Sequence, residues 1–178
     1  TGLGAYTLGN GATGSDSTAL GYAALYQNAG SNNTAVGSNA LYSNTTGGSG
    51  TAVGYQALYA NTTGEENVAV GRAALGANTT GGYNVAVGKG ALASNTTGSY
   101  NTVVGRLAME DNTTANYNTA FGYMSLANNT TGTRNTAVGV GAADACVDGA
   151  NDNIAIGYDA LGANTTGDFN VAIGNYAH

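Results

Sequence analysis

Residues Thr51–Asn67 read TAVGYQALYANTTGEEN, and variants of this stretch fill the chain from end to end. Aligned on the glycine of Ala-Val-Gly, the copies fall at Gly4, Gly21, Gly37, Gly54, Gly71, Gly88, Gly105, Gly122, Gly139, Gly157 and Gly174. The step is 17 residues, except for 16 between Gly21 and Gly37 and 18 between Gly139 and Gly157. A short fixed period marks stacked supersecondary units, so the period decides the fold before local propensity does. Counting Thr51 as position 1, positions 1 and 3 are β-branched or bulky, position 2 is nearly always alanine and position 4 is glycine. Positions 7 and 8 are Ala-Leu, 11 to 14 are Asn-Thr-Thr-Gly, and 17 is asparagine in most copies. Positions 5, 6, 9, 10, 15 and 16 drift. Fixed positions face something that does not change; drifting ones face solvent or a partner.

Composition fits this reading. Ile, Leu, Val and Phe together make up roughly a sixth of the chain, a level at which disorder is the default if net charge is high. The formal charge is only −6, and the apolar residues keep strict register, so we reject disorder. Thirty glycines and many alanines suit a thin core in which backbones approach closely. The single cysteine, Cys146, has no partner for an internal disulfide and reads as a small apolar filler. These residues hold no leader pattern and no apolar run long enough to cross a membrane, so we expect no membrane insertion. Arg72, Lys89, Arg106 and Arg134 are the only Lys or Arg, too few for the basic footprint of a nucleic-acid binder.

The unit is too short for many folds. Its Thr-Ala-Val segment alternates at β-branched positions and reads as a short strand. About six residues remain for the Ala-Leu segment, too few for a stable helix, so we expect a second strand there. Asn and Gly tolerate positive φ, which makes positions 4, 11, 14 and 17 the expected corners. The sequence thus predicts an all-β chain, a parallel β-solenoid of about ten 17-residue coils. Residues 1–178 form one array, irregular at 140–153, which begins and ends inside a unit like a segment of a longer fibrous protein. Stacking at about 4.8 Å gives a rod of roughly 45–50 Å. Each coil needs its neighbours to complete its core. The kept Asn and Thr then become ladders, Asn44, Asn61, Asn78, Asn95, Asn112, Asn129 and Asn164 among them.

Successive strand side chains point to opposite faces. Neither face drifts to polar here, so both are expected to be buried. One would be the coil's interior. The other, taken as the alanine side, would be shielded by a second copy of the chain.

The segments NTAVG, NVAVG and NIAIG resemble the head repeats of trimeric autotransporter adhesins, and the longer NTAVGxxALxxNTTG unit resembles arrays in phage tail fibres and bacterial surface proteins. The resemblance spans essentially the whole chain. It implies a left-handed parallel β-roll, three chains side by side, and display outside the cell, on a cell surface or on a virion. The adhesin heads have a shorter unit, so the path through Ala-Leu…Asn-Thr-Thr-Gly is not fixed by the resemblance.

Catalytic chemistry has little to work with. His178 is the only histidine, is the last residue and takes the place of the usual leucine. No Ser-His-Asp set, metal-spaced His/Cys group or phosphate loop can be written, and GNGATG at residues 9–14 does not precede a helix pattern. Glu65-Glu66 and Glu110-Asp111 read as solvated surface charge, because neighbours on a strand diverge. We therefore expect no enzyme, no cofactor and no catalytic residue. Asp144, Asp148 and Asp152 put three carboxylates into the irregular unit, the oxygen chemistry calcium favours. With neither an EF-hand pattern nor a calcium-binding nonapeptide present, they read as a surface bulge. Asn-Thr-Thr also matches the N-glycosylation acceptor at Asn44, Asn61, Asn78, Asn95, Asn112, Asn129 and Asn164, but turn and ladder chemistry explains the same letters.

Aromatic columns are the main surface feature. Tyr26, Tyr42 and Tyr59 share position 9, Tyr83, Tyr100 and Tyr117 share position 16, and Arg134 continues the second column. Arg72, Lys89 and Arg106 share position 5. Tyrosine suits sugar or protein surfaces, and it also packs across strands. The expected function is a non-enzymatic structural and adhesive fibre module, stalk or head, whose partners are its own copies and a glycan or protein receptor. Alternatives are an ice-binding solenoid with threonine rows at positions 12 and 13, and a self-assembling extracellular filament.

Overall fold

The computed structural model describes residues 1–9, 13–146 and 149–178. Its single sheet runs β1 (Gly2–Leu3), β2 (Thr18–Leu20), β3 (Thr34–Val36), β4 (Thr51–Val53), β5 (Val68–Val70), β6 (Val85–Val87), β7 (Thr102–Val104), β8 (Thr119–Phe121), β9 (Thr136–Val138), β10 (Ile154–Ile156) and β11 (Val171–Ile173). Each strand pairs in parallel with the next in sequence order. The register is one unit per step: Ala52 lies opposite Ala69, and Val53 opposite Val70. The 16- and 18-residue units keep the same pairing, Ala19 with Ala35 and Ala137 with Ala155. This is a parallel β-solenoid of about ten turns, with no helix among the described residues.

The alanine of each strand faces inward. Ala52, Ala69 and Ala86 are fully buried and share one core with Ala57, Leu58, Ala74, Leu75, Ala91 and Leu92 of the following turns. The outward face carries positions 1 and 3. This reverses the expectation that a second chain shields the alanine side. The reason is width: one unit encloses little space opposite Ala-Leu, so small side chains fill the inward position, with Val103 of β7 the largest buried there. The other Val, Ile and Phe of the strands point out, and there Phe121, Val138, Ile154 and Ile156 are exposed.

The expected second strand is absent; Tyr55–Ala60 is a run of turns. Within it Gln56 and Leu58 take φ of 56° and 50°, and the same two positions are left-handed in the other described coils. A third such position precedes the closing asparagine, where Glu66, Tyr83 and Tyr100 have φ of 55°, 61° and 61°. Left-handed backbone costs a non-glycine residue about 1–2 kcal/mol. Here it turns the amides along the rod axis. Gln56 N donates to Ser38 O in one neighbouring coil at 3.0 Å, Leu58 N to Ala74 O in the other at 3.0 Å, and Glu66 N to Gly48 O at 3.0 Å. Coils therefore stay hydrogen-bonded outside the strands.

Of the four expected corners only position 4 has positive φ, as at Gly71 with 136°. A Cβ on Gly71 would also stand 2.5 Å from Gly88 O. Positions 11, 14 and 17 are not left-handed: their asparagines are buried hydrogen-bonding groups, and position 14 lies close to the next coil. Gly71→Ala is expected to lower stability by at least about 2 kcal/mol, from left-handed strain and the clash. Gly76→Ala, at a place where the next coil already has Ala93, should stay within about 0.5 kcal/mol of the parent. Urea melts followed by circular dichroism decide; equal midpoints for Gly71→Ala and the parent would refute this account of position 4.

Candidate functional site

The interior has a polar half. Asn44, Asn61, Asn78, Asn95 and Asn112 are buried, and each amide reaches its copy in the preceding coil. Asn61 Nδ2 donates to Asn44 Oδ1 at 2.8 Å, Asn78 Nδ2 to Asn61 Oδ1 at 2.7 Å, and Asn95 Nδ2 to Asn78 Oδ1 at 2.8 Å. Each also donates within its own coil, Asn61 Nδ2 to Gly64 O at 3.0 Å and Asn78 Nδ2 to Gly81 O at 2.9 Å. Ala115 replaces this glycine in one coil, and there the bond from Asn112 stretches to 3.5 Å. A second column at position 17, missed as a ladder in the sequence, runs alongside. Asn84 N and Nδ2 both donate to Asn67 Oδ1, at 3.0 and 3.1 Å, and Asn101 repeats this on Asn84. Because Asn44 through Asn129 are buried with their amides engaged, a glycan on any of them would displace these bonds.

Cys146 stands in the first column where other coils have asparagine, and it is buried. Burial pushes its thiol up to about 11. The thiol replaces an amide rung: it gives nothing to Asn129 and accepts only a long bond from Asn164. Asn129 Oδ1 has no donor among the described residues, and Asn164 Nδ2 lies 3.8 Å from Sγ. Of the three irregular-unit carboxylates, Asp148 lies outside the described residues. Asp152 accepts a two-pronged bond from Arg134, at 2.6 and 2.8 Å, which lowers its pKa. Asp144 sits elsewhere, beside Asp159, its pKa raised by burial and then by that neighbour. No three His, Cys, Asp or Glu among the described residues form a group that could hold a metal.

The tyrosine columns form two stacked blocks. Ring centroids of Tyr26, Tyr42 and Tyr59 are 5.2 and 5.3 Å apart, and those of Tyr83, Tyr100 and Tyr117 are 4.9 and 5.1 Å apart. Interplanar angles of 0° to 16° leave the rings face to face, presenting edges and hydroxyls. Tyr83, Tyr100 and Tyr117 are about half exposed. Glu66, then Tyr100, raise the Tyr83 pKa, so its hydroxyl stays protonated further into the alkaline range. Arg134 ends the column bound to Asp152. First threonines of the pairs spend their hydroxyls internally, Thr62 Oγ1 donating to Thr79 O at 2.9 Å and Thr79 Oγ1 to Thr96 O at 2.9 Å.

Between columns 5 and 9 the turns leave hollows along the rod. One, of about 290 Å³, is lined by Tyr6, Tyr22, Tyr26, Tyr42 and Tyr59. The next, of about 240 Å³, lies among Arg72, Lys89, Gly90, Leu107 and Glu110. A further one, of about 200 Å³, lies among Tyr123, Val140, Asp144, Tyr158 and Asp159. His178 is exposed at the end of the chain, and Glu65, Glu66 and Asp111 are exposed. No protein-family model matches the chain, and no curated protein or solved structure matches it either.

Cys146→Asn is expected to give Asn129 Oδ1 its donor and raise stability by about 1 kcal/mol, whereas Cys146→Ala should not raise it. Thermal melts of both variants test this; a drop for Cys146→Asn would show that the irregular coil has no room for the ladder.

Proposed function

We propose that the chain is a non-enzymatic fibre segment, a rigid rod that associates with its own copies and displays its outer columns to a receptor or glycan. The outward sheet face carries the reading. Across eleven strands, positions 1 and 3 hold only Thr, Val, Ile, Leu and Phe, with no charge and no larger polar group. Large exposed apolar strips mark association surfaces. The strip repeats at the spacing of the coils, so a body with the same axial period meets every rank at once, and a second copy is such a body.

Size favours three copies over two. Three residues of strand by ten coil spacings give about 10 by 48 Å, roughly 500 Å² per chain. A stable pair buries about 800 Å² per partner. Three rods around one axis would bring flanking columns into contact as well. The resemblance to adhesin heads and tail fibres implies the same number, together with a left-handed roll displayed outside the cell or on a virion. The exposed tyrosines, rigid and amphipathic, support the adhesive role.

Light scattering on the purified chain should give three times 17.4 kDa. Val53→Lys with Val87→Lys, two outward positions in the middle of the sheet, should shift the mass to one chain while preserving the β spectrum. A monomeric parent chain would overturn the assembly reading. A blank screen against cells and immobilised glycans would remove the adhesive one and leave a spacer.

A further inference from the structure

We propose that the position 5 strip from Tyr55 to Tyr123, with the hollow beside it, binds a linear carboxylated polysaccharide; this names the ligand class within the adhesive reading above and rests on it. In five consecutive coils the column reads Tyr55, Arg72, Lys89, Arg106, Tyr123. Three of the four Lys and Arg in an acidic chain thus stand directly above one another, at about 4.8 Å per step. Like charges stacked at this spacing repel one another, with water and salt screening part of the repulsion. All three are exposed, and among the described residues none of them is in an ion pair; the pair found there joins Arg134 to Asp152. The chain has ten Asp and Glu, yet column 5 contains none. Glu110 lies across the hollow from Arg72 and Lys89, and Asp144 and Asp159 line the hollow beside Tyr123. The row is a line of unneutralised positive charge, and a bridging polyanion would remove its self-repulsion.

Spacing and flanks select the polyanion. One cation per coil suits a polymer with one carboxylate per unit, and a pyranose in an extended chain advances by close to one coil spacing. Tyr55 and Tyr123, 47% and 40% exposed, close the row at both ends; the Tyr55 ring is able to take the C–H face of a sugar, while Arg106 covers one face of the Tyr123 ring. The Arg106 guanidinium lies over the Tyr123 ring, 5.5 Å from its centroid, which orients its planar fork for a carboxylate. Gly90 opens the floor of the hollow between Lys89 and Leu107. A single-stranded nucleic acid would want open aromatic faces for its bases. The stacked aromatic blocks, Tyr26 to Tyr59 and Tyr83 to Tyr117, lie in other columns with their inner faces turned on one another.

The test uses polygalacturonate oligomers as ligand, dextran as the neutral comparison and a single-stranded oligonucleotide as the rival polyanion, titrated into the whole chain by calorimetry. Polygalacturonate should bind and weaken at least about tenfold between roughly 20 and 200 mM salt, because exposed charge pairs are screened. Dextran and the oligonucleotide should not bind detectably. Arg72→Gln, Lys89→Gln and Arg106→Gln together should weaken polygalacturonate binding by about tenfold or more, with a melting temperature equal to or above the parent's. Arg134→Gln, which removes a cation from another column, should bind like the parent. Unchanged binding by the triple variant, or oligonucleotide binding without polygalacturonate binding, would overturn the proposal. Its failure would leave the oligomeric mass untouched, and a monomeric mass would end the assembly reading without bearing on this row.

Discussion

Every side chain in this rod sits about 4.8 Å from its own copy in the coils above and below. An interior position can therefore hold only residues that tolerate stacking on themselves. Alanine and leucine do so by contact. Asparagine does so because its amide is donor and acceptor at once, giving Nδ2 to one neighbour and receiving at Oδ1 from the other. Aspartate could only repel its copy, and a hydroxyl offers less. Threonine solves the problem differently, donating to the carbonyl of its copy, as Thr62 does to Thr79. The sparse charge, absent proline and high Gly, Asn and Thr content of the sequence all follow from this one constraint.

The stacking itself was legible, because a register held through 16-, 17- and 18-residue units leaves no other arrangement. So was the strand at Thr-Ala-Val, and so were the columns, since residues one unit apart must share a face. What lay beyond reach was the closed path. Alanine recurs at positions 2 and 7, so its side of the strand could be assigned only by knowing how little space a coil encloses. The turn through positions 5 to 10 was mistaken for a strand because short apolar runs carry no period of their own. One signal did exist. Positions 6, 8 and 16 never hold Val, Ile or Thr, although these fill positions 1, 3, 12 and 13. β-branched residues resist left-handed backbone most, so their exclusion from three columns marks where it turns. The kept asparagine at position 17 reads as a corner as readily as a ladder, since the same residue serves both purposes.

Left-handed residues in every coil raise the question of what outweighs their strain. A single such turn would be poorly supported. Here each left-handed amide reaches the adjacent coil, so local cost and axial bond come as a pair, and the next coil repeats both. The balance improves with stacking, which is why such units fold as arrays. The coil at Cys146 is informative because it keeps the strand, the left-handed Ala143 and the register while losing the asparagine. Backbone bonding and the alanine core together tolerate one missing rung; the ladder adds to the fold rather than defining it.

This separation of interior from exterior is also what gives the rod room for function. The inner positions are fixed by self-stacking, whereas the outer ones need only avoid proline and, at positions 6 and 16, β-branching. Each outer column is then a line of sites at one spacing, written independently of its neighbours. Column 16 carries glutamate, three tyrosines and a fork-bonded Arg134; column 5 changes from tyrosine to three cations and back. Stability does not ask for such blocks, since like charges stacked without counter-ions oppose it. Where a column departs from what stacking alone would choose, a bound ligand of opposite charge would offset the repulsion. The cation row is the clearest such departure among the outer columns, and it stands where the hollow between columns 5 and 9 gives a ligand a place to lie.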